Sequence, residues 1–187
     1  MLRDNTIRNH IISDLLPVLY RKEEYRVIEE FDICLGETRA DIAVVNGSLI
    51  GYEIKSDLDD LSRLVKQIPL YEKIFDRVEI FVGSTHATNA SHTIPKWCGI
   101  TEVFKTKTRI RSRVIRKSKV NPRVDVLSLI QVLWKTEIIQ YLERYSLSPN
   151  LNKLPRHELW QQVVQEGSTK KIKKHVNQCL KLRTNWK

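Results

Sequence analysis

The chain has 187 residues, of which 41% are hydrophobic and 29% are charged, a composition typical of a soluble globular domain. No apolar run approaches the roughly 18 residues that a membrane-spanning helix needs, and the first residues lack the apolar core of a signal peptide. The three cysteines are far apart and form no C-x-x-C pair, which argues against a disulfide scaffold or a thiolate zinc site. We therefore expect a cytoplasmic protein without a membrane partner.

The net charge of +10 is concentrated in the second half of the chain. Residues 1–101 contain 12 Lys and Arg against 16 Asp and Glu, whereas residues 102–187 contain 20 against 6. An acidic half that can hold metal and a basic half that can hold phosphate suit a protein that acts on a polyanion. A generic basic tail that keeps the protein soluble is the alternative. The chain has no Gly-rich phosphate loop and no G-x-S-x-G motif, which argues against nucleotide hydrolysis and serine hydrolase chemistry.

Hydrophobic periodicity predicts an α/β protein whose first elements follow the order α-β-β-β-α-β. Residues 84–101 are expected to form a loop. The predicted elements are a helix over 4–20, a strand over 25–33, a hairpin over 39–55, a helix over 58–75, a strand over 77–82, and helices over 126–145, 155–165 and 168–183. We divide the chain into a core of residues 1–101, a basic arm or linker of residues 102–124, and a basic helical region of residues 125–187. This last region is expected to pack on the core or to bind nucleic acid.

The predicted hairpin carries charges in strands that are otherwise apolar. Its Asn46-Gly47 turn is the strongest short-range signal for a two-residue hairpin loop, in which both residues have positive φ. Glu53 and Lys55 are two residues apart and point to one face of their strand, which Asp41 can reach from the neighbouring strand. Two carboxylates are suitable ligands for Mg²⁺ or Mn²⁺, and a lysine beside them can orient a water that attacks phosphate. A structural ion pair between Lys55 and one of the acids is the alternative.

This charge pattern resembles the PD-(D/E)XK nuclease superfamily, in which an acidic residue opens one strand and E-x-K lies on the next. Here eleven residues separate Asp41 from Glu53-Ile54-Lys55, and Arg39-Ala40 precedes the aspartate where the superfamily name has a proline. Gln67 and Tyr71 on the following helix resemble the Q-x-x-x-Y element of the RecB-like branch. The chain also resembles, over nearly its whole length, a family of bacterial and phage-borne proteins designated only by a locus tag.

The resemblance implies a restriction-endonuclease-like core, with a mixed central sheet flanked by helices, followed by the basic helical region. It implies that Asp41 and Glu53, with the carbonyl of Ile54, bind Mg²⁺ or Mn²⁺. Lys55 would then orient the attacking water.

Further residues would support this site. The resemblance gives Gln67 and Tyr71 a supporting role, in contact with DNA or with a metal-bound water. It favours Glu30 as a third acid. Glu29 on the same strand and Asp14 on the first helix stay open as alternatives.

Clusters of cations predict contacts with a phosphate backbone, because residues 103–124 contain no acid that could neutralise them. From Lys105 to Arg113 the cations alternate with other residues, as in a strand or an extended arm with one charged face. A disordered connector is the alternative for the arm. For the second helix of a pair that resembles a helix-turn-helix, the alternative is a packing role. The candidate nucleic-acid-binding residues are Arg63, Lys105, Lys107, Arg109, Arg111, Arg113, Arg116, Lys117, Lys119, Lys170, Lys171, Lys173 and Lys174.

These expectations combine into a metal-dependent DNA nuclease that acts as an endonuclease. DNA is the expected partner, with RNA not excluded and a homodimer left open. The alternative is a catalytically silent nucleic-acid-binding or regulatory protein on a nuclease scaffold.

Overall fold

Six strands form one mixed sheet in the order β1-β2-β3-β4-β5-β6. The computed structural model describes residues 1–145, 150–184 and 186, apart from the side chain of Glu166. Neighbouring strands are antiparallel except for the pairs β3–β4 and β4–β5, which are parallel. The strands are β1 (Arg26–Ile33), β2 (Thr38–Val45), β3 (Leu49–Lys55), β4 (Arg77–Gly83), β5 (Gly99–Lys105) and β6 (Ile110–Arg116).

Helices cover both faces of this sheet. The helices are α1 (Asp4–Asn9), α2 (Leu16–Leu19), α3 (Ser62–Ile74), α4 (Ala87–Thr93), α5 (Val126–Ile130), α6 (Lys135–Tyr145), α7 (Arg156–Glu166) and α8 (Thr169–Leu182), and a π-helical segment (His10–Leu15) joins α1 to α2. The N-terminal helical segment packs on one face through Ile7, Ile11 and Leu16. Helix α3 and the C-terminal helices share one hydrophobic core on the other face. No helix in the described ranges is long and apolar enough to cross a membrane.

The central hairpin forms because β2 and β3 are almost entirely buried, from Ala40 to Val45 on β2 apart from a half-buried Asp41, and along all of β3. Its turn differs from the prediction. Val45 pairs with Leu49, so the loop has three residues, and among them only Gly47 has a positive φ, of 107°. Ser48 N–H donates to the side chain of Asn46. This is the local hydrogen bond by which asparagine side chains stabilise turns.

The expected α/β architecture with a mixed sheet between helices is confirmed, and so is the order α-β-β-β-α-β over residues 4–83. The extent of the sheet was underestimated. Residues 84–101 are not one loop, because they contain α4 and the first residues of β5. The expected arm of residues 102–124 contains the rest of β5 and all of β6, which pair as an antiparallel hairpin.

The sheet has two ends that differ in what they carry. We call the end at which the parallel strands β3, β4 and β5 finish the carboxyl end, and the end at which they begin the amino end. From the strand directions, β2 and β6 begin at the carboxyl end, and the β2–β3 turn lies at the amino end. The β5–β6 turn therefore lies at the same end as Lys55.

Candidate functional site

Four predicted site residues form a hydrogen-bonded cluster at the carboxyl end of the sheet. Glu53 on β3 is almost fully buried, and its Oε1 accepts a hydrogen bond from Lys55 Nζ at 2.7 Å. Tyr71 on α3 donates its hydroxyl hydrogen to Glu53 Oε2. Gln67, one turn earlier on α3, accepts from Lys55 Nζ at 3.3 Å and donates to Tyr71 at 3.3 Å. The spacing of four residues on α3 thus places both side chains at the predicted site, where Tyr71 contacts Glu53 and Gln67 contacts Lys55.

Asp41 on β2 joins this cluster from the neighbouring strand. Its Oδ2 accepts from the backbone N–H of Ile54 at 2.7 Å, which fixes the carboxylate against β3. Burial and the nearby charge of Glu53 raise the pKa of Asp41 to about 7. Burial and the same glutamate also raise the pKa of Tyr71, so the tyrosine hydroxyl acts as a donor. Two carboxylates that are held together away from water favour a bound proton or a bound cation.

Arg8 on α1 is a member of the site that the sequence did not predict. Its Nη1 donates to the backbone oxygen of Asp41 at 2.9 Å, and its Nη2 lies 3.4 Å from Asp41 Oδ1 and 2.9 Å from Glu30 Oε1. The only local signal was the helical pair with Asp4, four residues before it. The contact with Asp41 spans 33 residues of sequence, and no local pattern predicts it.

The three candidates for a third acid lie in different places. Glu30 lines the same cleft as Asp41 and Glu53. Glu29 lines a neighbouring pocket beside the C-terminal helices. Asp14 pairs with His10 at 2.7 Å, and it is not among the described residues that line the cleft. Of the three candidates, Glu30 is thus the one that lines the cleft, and Glu29 reaches only its edge, with Oε2 3.6 Å from Arg8 Nη1.

Glu30 also has an unusual backbone conformation. Its φ is 51°, in the left-handed region, and it lies between the paired positions Glu29–Ile42 and Phe31–Ala40. Such a conformation costs on the order of 1–3 kcal/mol for a residue other than glycine and is common at functional sites. The β1–β2 ladder is thus interrupted opposite Asp41, where the cleft opens.

The cleft has a volume of about 530 Å³ and is predominantly acidic. Its described lining includes six carboxylates and three cations, of which Arg63 is the candidate DNA contact on α3. The charged lining residues are Asp4, Glu30, Asp32, Arg39, Asp41, Glu53, Lys55, Asp59 and Arg63.

The donor set fits a hard divalent cation only in part. Carboxylate oxygens of Asp41 and Glu53 with the carbonyl of Ile54 are the oxygen ligands that Mg²⁺ or Mn²⁺ accepts, with water completing the shell. Against this, Arg8 and Lys55 already neutralise both carboxylates. Within the described residues, no group of three or more His, Cys, Asp or Glu side chains is arranged to hold a metal ion. A cation must therefore compete with two side-chain cations.

The cations of the predicted arm divide into free and engaged groups. Lys105, Lys107, Arg109 and Arg111 are exposed on the β5–β6 hairpin, and none forms an ion pair with another described residue. Arg113 pairs with Glu102 at 2.6 Å, although its guanidinium stays largely exposed.

The cations that follow on the chain also differ in their contacts. Arg116 donates to the carbonyl oxygens of Cys98 and Pro95 at 2.8 and 3.0 Å, so it has a structural role. Lys117 and Lys119 are exposed beyond the end of β6.

The free hairpin cations and the cleft share the carboxyl end of the sheet. β5 and β6 are two and three strands away from β3, so the basic hairpin lies about 10 to 14 Å to the side of the cleft at the usual strand spacing. The hairpin cations therefore lie outside the cleft but at the same end of the sheet.

The four α8 lysines lie elsewhere. Lys173 pairs at 2.7 Å with Asp76, which precedes β4 at the amino end of the sheet. Lys171 stacks over the ring of Tyr145, with its Nζ 4.8 Å from the ring centroid. Lys170 and Lys174 line a separate groove beside the β2–β3 turn. The structure thus does not bring these lysines together with the arm.

Comparison with known proteins places the chain in a family. A family profile described as Bacteriophage P4 protein cII matches residues 1–186. The chain belongs to the bacteriophage P4 protein cII family. Protein cII of Enterobacteria phage P4 is 29% identical over 137 residues, which are 72% of this chain and 52% of that protein. The chain therefore matches about half the length of that curated relative.

One solved structure was also found to be similar. A protein of unknown function from Silicibacter pomeroyi is 20% identical, with a TM-score of 0.41, over 64% of this chain and 77% of that one. A likeness at this level carries no argument about function.

Membership of the cII family corrects the expected relationship. The assignment to the PD-(D/E)XK nuclease superfamily was wrong, because the family that matches almost the whole chain is the phage P4 cII family. The description as a nuclease, endonuclease or hydrolase is contradicted with it, whereas the expected bacterial or phage setting agrees with the cII family. The pattern formed by Asp41, Glu53 and Lys55 is short, and it indicates a local charge cluster without indicating common descent. The family membership of the chain is shown by the match over residues 1–186.

Proposed function

We propose that this cII-family protein binds nucleic acid in a regulatory role, and that its β5–β6 hairpin contacts the phosphate backbone. The observation that carries the proposal is the row of exposed hairpin cations, Lys105, Lys107, Arg109 and Arg111, which have no acidic partner among the described residues. Such a row attracts a polyanion and releases the counterions condensed on it. Membership of the cII family, rather than of a nuclease family, supports a regulatory role over a hydrolytic one.

The salt dependence of DNA binding tests the hairpin. The test variant is Arg109→Gln/Arg111→Gln, and the control is Lys22→Gln/Lys96→Gln, which removes two exposed cations elsewhere and lowers the net charge equally. Affinity for a labelled duplex is measured by fluorescence anisotropy at several salt concentrations. We expect the slope of log affinity against log salt to decrease by about 0.9 for each phosphate that the hairpin variant no longer neutralises, and little change in the control. Equal decreases in both variants would mean that only net charge matters.

A second proposal concerns the cleft: the Asp41–Glu53 pair binds Mg²⁺ or Mn²⁺. The desolvation of Asp41, which raises its pKa to about 7, is the observation that favours it, because a divalent cation relieves the repulsion between the two carboxylates. Calorimetric titration with MnCl₂ measures binding directly. We expect Asp41→Asn to abolish it and Asp14→Asn, a carboxylate outside the cleft, to leave it intact. Unchanged binding in Asp41→Asn would exclude this site.

Catalysis in the cleft stays a prediction. Lys55 Nζ lies 2.7 Å from Glu53 Oε1, and if Asp41 and Glu53 held a divalent cation, this lysine could orient a water for attack on phosphate. Incubating supercoiled plasmid with Mn²⁺ or EDTA tests the prediction, with Lys55→Ala and Asp41→Asn as variants. Metal-dependent cleavage by the wild type that is absent from both folded variants would establish the reaction. Cleavage that survives in both would come from a contaminant.

A further inference from the structure

A groove separate from the cleft lies between α8 and the β2–β3 turn, at the amino end of the sheet. Its volume is about 710 Å³, within the range of pockets that hold small ligands. Among the described residues that line it, four are lysines and none is an acid. The lining consists of Asn46, Gly47, Thr169, Lys170, Lys173, Lys174, Asn177, Gln178 and Lys181. Lys173 pairs with Asp76 at 2.7 Å and Lys181 lies 4.0 Å from Glu24, so Lys170 and Lys174 are the lining cations without an acidic partner among the described residues. The part of the groove between these two lysines is therefore suited to an anion.

The N-terminus of α8 faces this groove without a cap. α8 is a helix of 14 residues, Ser168 at its N-cap makes no side-chain hydrogen bond, and its first turn contains no acid. The first turn instead carries Lys170 and Lys171, although cations at a helix N-terminus are opposed by the helix dipole. A bound anion would satisfy the free N–H groups and offset the repulsion between dipole and lysines.

Asn177 provides the second, independent indication of a ligand. The residue is only 7% exposed, it lines the groove, and its Nδ2 donates to the carbonyl of Lys173 at 2.9 Å. Its Oδ1 has no hydrogen-bond partner among the described residues. This oxygen has almost no solvent-accessible surface, so a ligand reaches it only after the amide turns toward the groove. An N–H or O–H of the ligand would then offset the free-energy cost of the unpaired buried acceptor.

One stripe along α8 consists of residues spaced by four, three and four positions, namely Lys170, Lys174, Asn177 and Lys181. Asn177 lies about 10 Å along the helix axis from Lys170 at 1.5 Å per residue. Inorganic phosphate is too small to reach both positions. The ligand must therefore carry an anionic group at one end and a hydrogen-bond donor further along.

We propose that this groove binds a nucleoside phosphate, either free or as one unit of a nucleic-acid strand. The phosphate lies at the first turn of α8 between Lys170 and Lys174, and a sugar hydroxyl or base amino group donates to Asn177 Oδ1. The groove is at the amino end of the sheet and the basic hairpin is at the carboxyl end. The proposal therefore does not depend on the function proposed for the hairpin.

Titration calorimetry with adenosine 5′-monophosphate, ribose 5-phosphate and inorganic phosphate tests the proposal on the wild type. We expect the nucleotide to bind most tightly and inorganic phosphate most weakly. Lys170→Gln/Lys174→Gln should weaken nucleotide binding by at least about tenfold, the usual effect of removing a charge-assisted hydrogen bond. The control Lys66→Gln/Lys96→Gln removes two exposed cations that do not line the groove, with the same change in net charge, and should bind as the wild type does.

Asn177→Ala distinguishes the hydrogen bond to Asn177 from the general attraction between the lysines and an anion. It should weaken binding of the nucleotide and leave binding of inorganic phosphate unchanged. A short deoxyadenosine oligonucleotide, tested against the Arg109→Gln/Arg111→Gln variant, distinguishes the two sources of the ligand. Tighter binding of the oligonucleotide indicates a strand, and binding of the mononucleotide alone indicates a free nucleotide. The proposal is overturned if the nucleotide binds the wild type no better than inorganic phosphate, or if the control loses as much affinity as Lys170→Gln/Lys174→Gln.

Discussion

Replacing Asp41 by asparagine should change how the stability of this protein depends on pH. In the folded protein, burial and the charge of Glu53 raise the pKa of Asp41 from 3.8 to about 7. The carboxyl group therefore binds its proton more tightly in the folded state than in the unfolded state. Its contribution to stability is complete below about pH 4 and is lost as the pH rises through about 7.

The size of the effect follows from proton linkage. With pKa values of 3.8 and about 7 in the two states, the free energy of unfolding of the wild type falls by about 2 to 3 kcal/mol between pH 5 and pH 8 through this group. The asparagine of Asp41→Asn cannot ionise, and its side-chain oxygen can still accept from the N–H of Ile54, which Asp41 Oδ2 accepts at 2.7 Å. The variant should thus lose this part of the pH dependence and gain stability relative to the wild type at pH 8.

Urea unfolding of both proteins at pH 5 and pH 8, with EDTA to remove metal ions, measures the effect. The quantity of interest is the change with pH in the difference between variant and wild type, because titrating groups that do not interact with Asp41 cancel in it. A difference that stays constant within about 0.5 kcal/mol, or that moves against the variant at pH 8, would refute the reasoning, since neither result fits a desolvated carboxyl with a raised pKa.

Two further substitutions test the packing around the cleft. Tyr71→Phe leaves buried Glu53 without the hydroxyl donor and should lower the free energy of unfolding by about 1–3 kcal/mol in urea titrations. The control Tyr25→Phe changes a half-buried residue without a comparable hydrogen bond to another described residue, and it should change this free energy little. Equal effects of the two substitutions would contradict the role of the hydroxyl. Gly51→Ala would place a Cβ atom 2.7 Å from the ring of Phe75 and should cost about 1–3 kcal/mol by overpacking. Adding Phe75→Leu should restore part of this loss, and a double variant no better than the sum of the two changes would show that the clash is not the cause.

The elements that the sequence predicted well are those with a strong local pattern. The hairpin around Asn46-Gly47 combines apolar strands with a turn signal, and α3 combines an apolar stripe with Gln67 and Tyr71 at helical spacing. The alternating cations of residues 105–113 fitted a strand or an extended arm equally, and only the pairing of β6 with β5 decides between the two. That pairing is long-range information, which a local window does not contain.

The cleft residues show the same limit. Asp41, Glu53 and Lys55 were predicted to meet because they lie on adjacent strands of one hairpin. Arg8 reaches Asp41 from a helix on the opposite side of the sheet, and its side chain changes the electrostatics of the site from an acidic pair to a partly neutralised cluster. The hydrolysis expected in the cleft required a metal ion beside Asp41, and the structure places the guanidinium of Arg8 there instead.

At the carboxyl end of the sheet, the acidic cleft and the basic hairpin are separate, so a nucleic acid bound to the hairpin would not have to enter the cleft. The cleft has six carboxylates and three cations among its described lining residues, so its field repels a phosphate backbone. The proposed affinity for nucleic acid would then come from cations outside the cleft, among which the free cations of the hairpin lie about 10 to 14 Å away at the usual strand spacing. Without a divalent cation, a strand held by the hairpin is kept out of the cleft by repulsion, which is compatible with a protein that binds and does not cut. If Asp41 and Glu53 take up such a cation, the repulsion falls and the same strand can approach Lys55. Occupancy of the carboxylate pair is thus the variable that decides between the binding role proposed here and any reaction in the cleft.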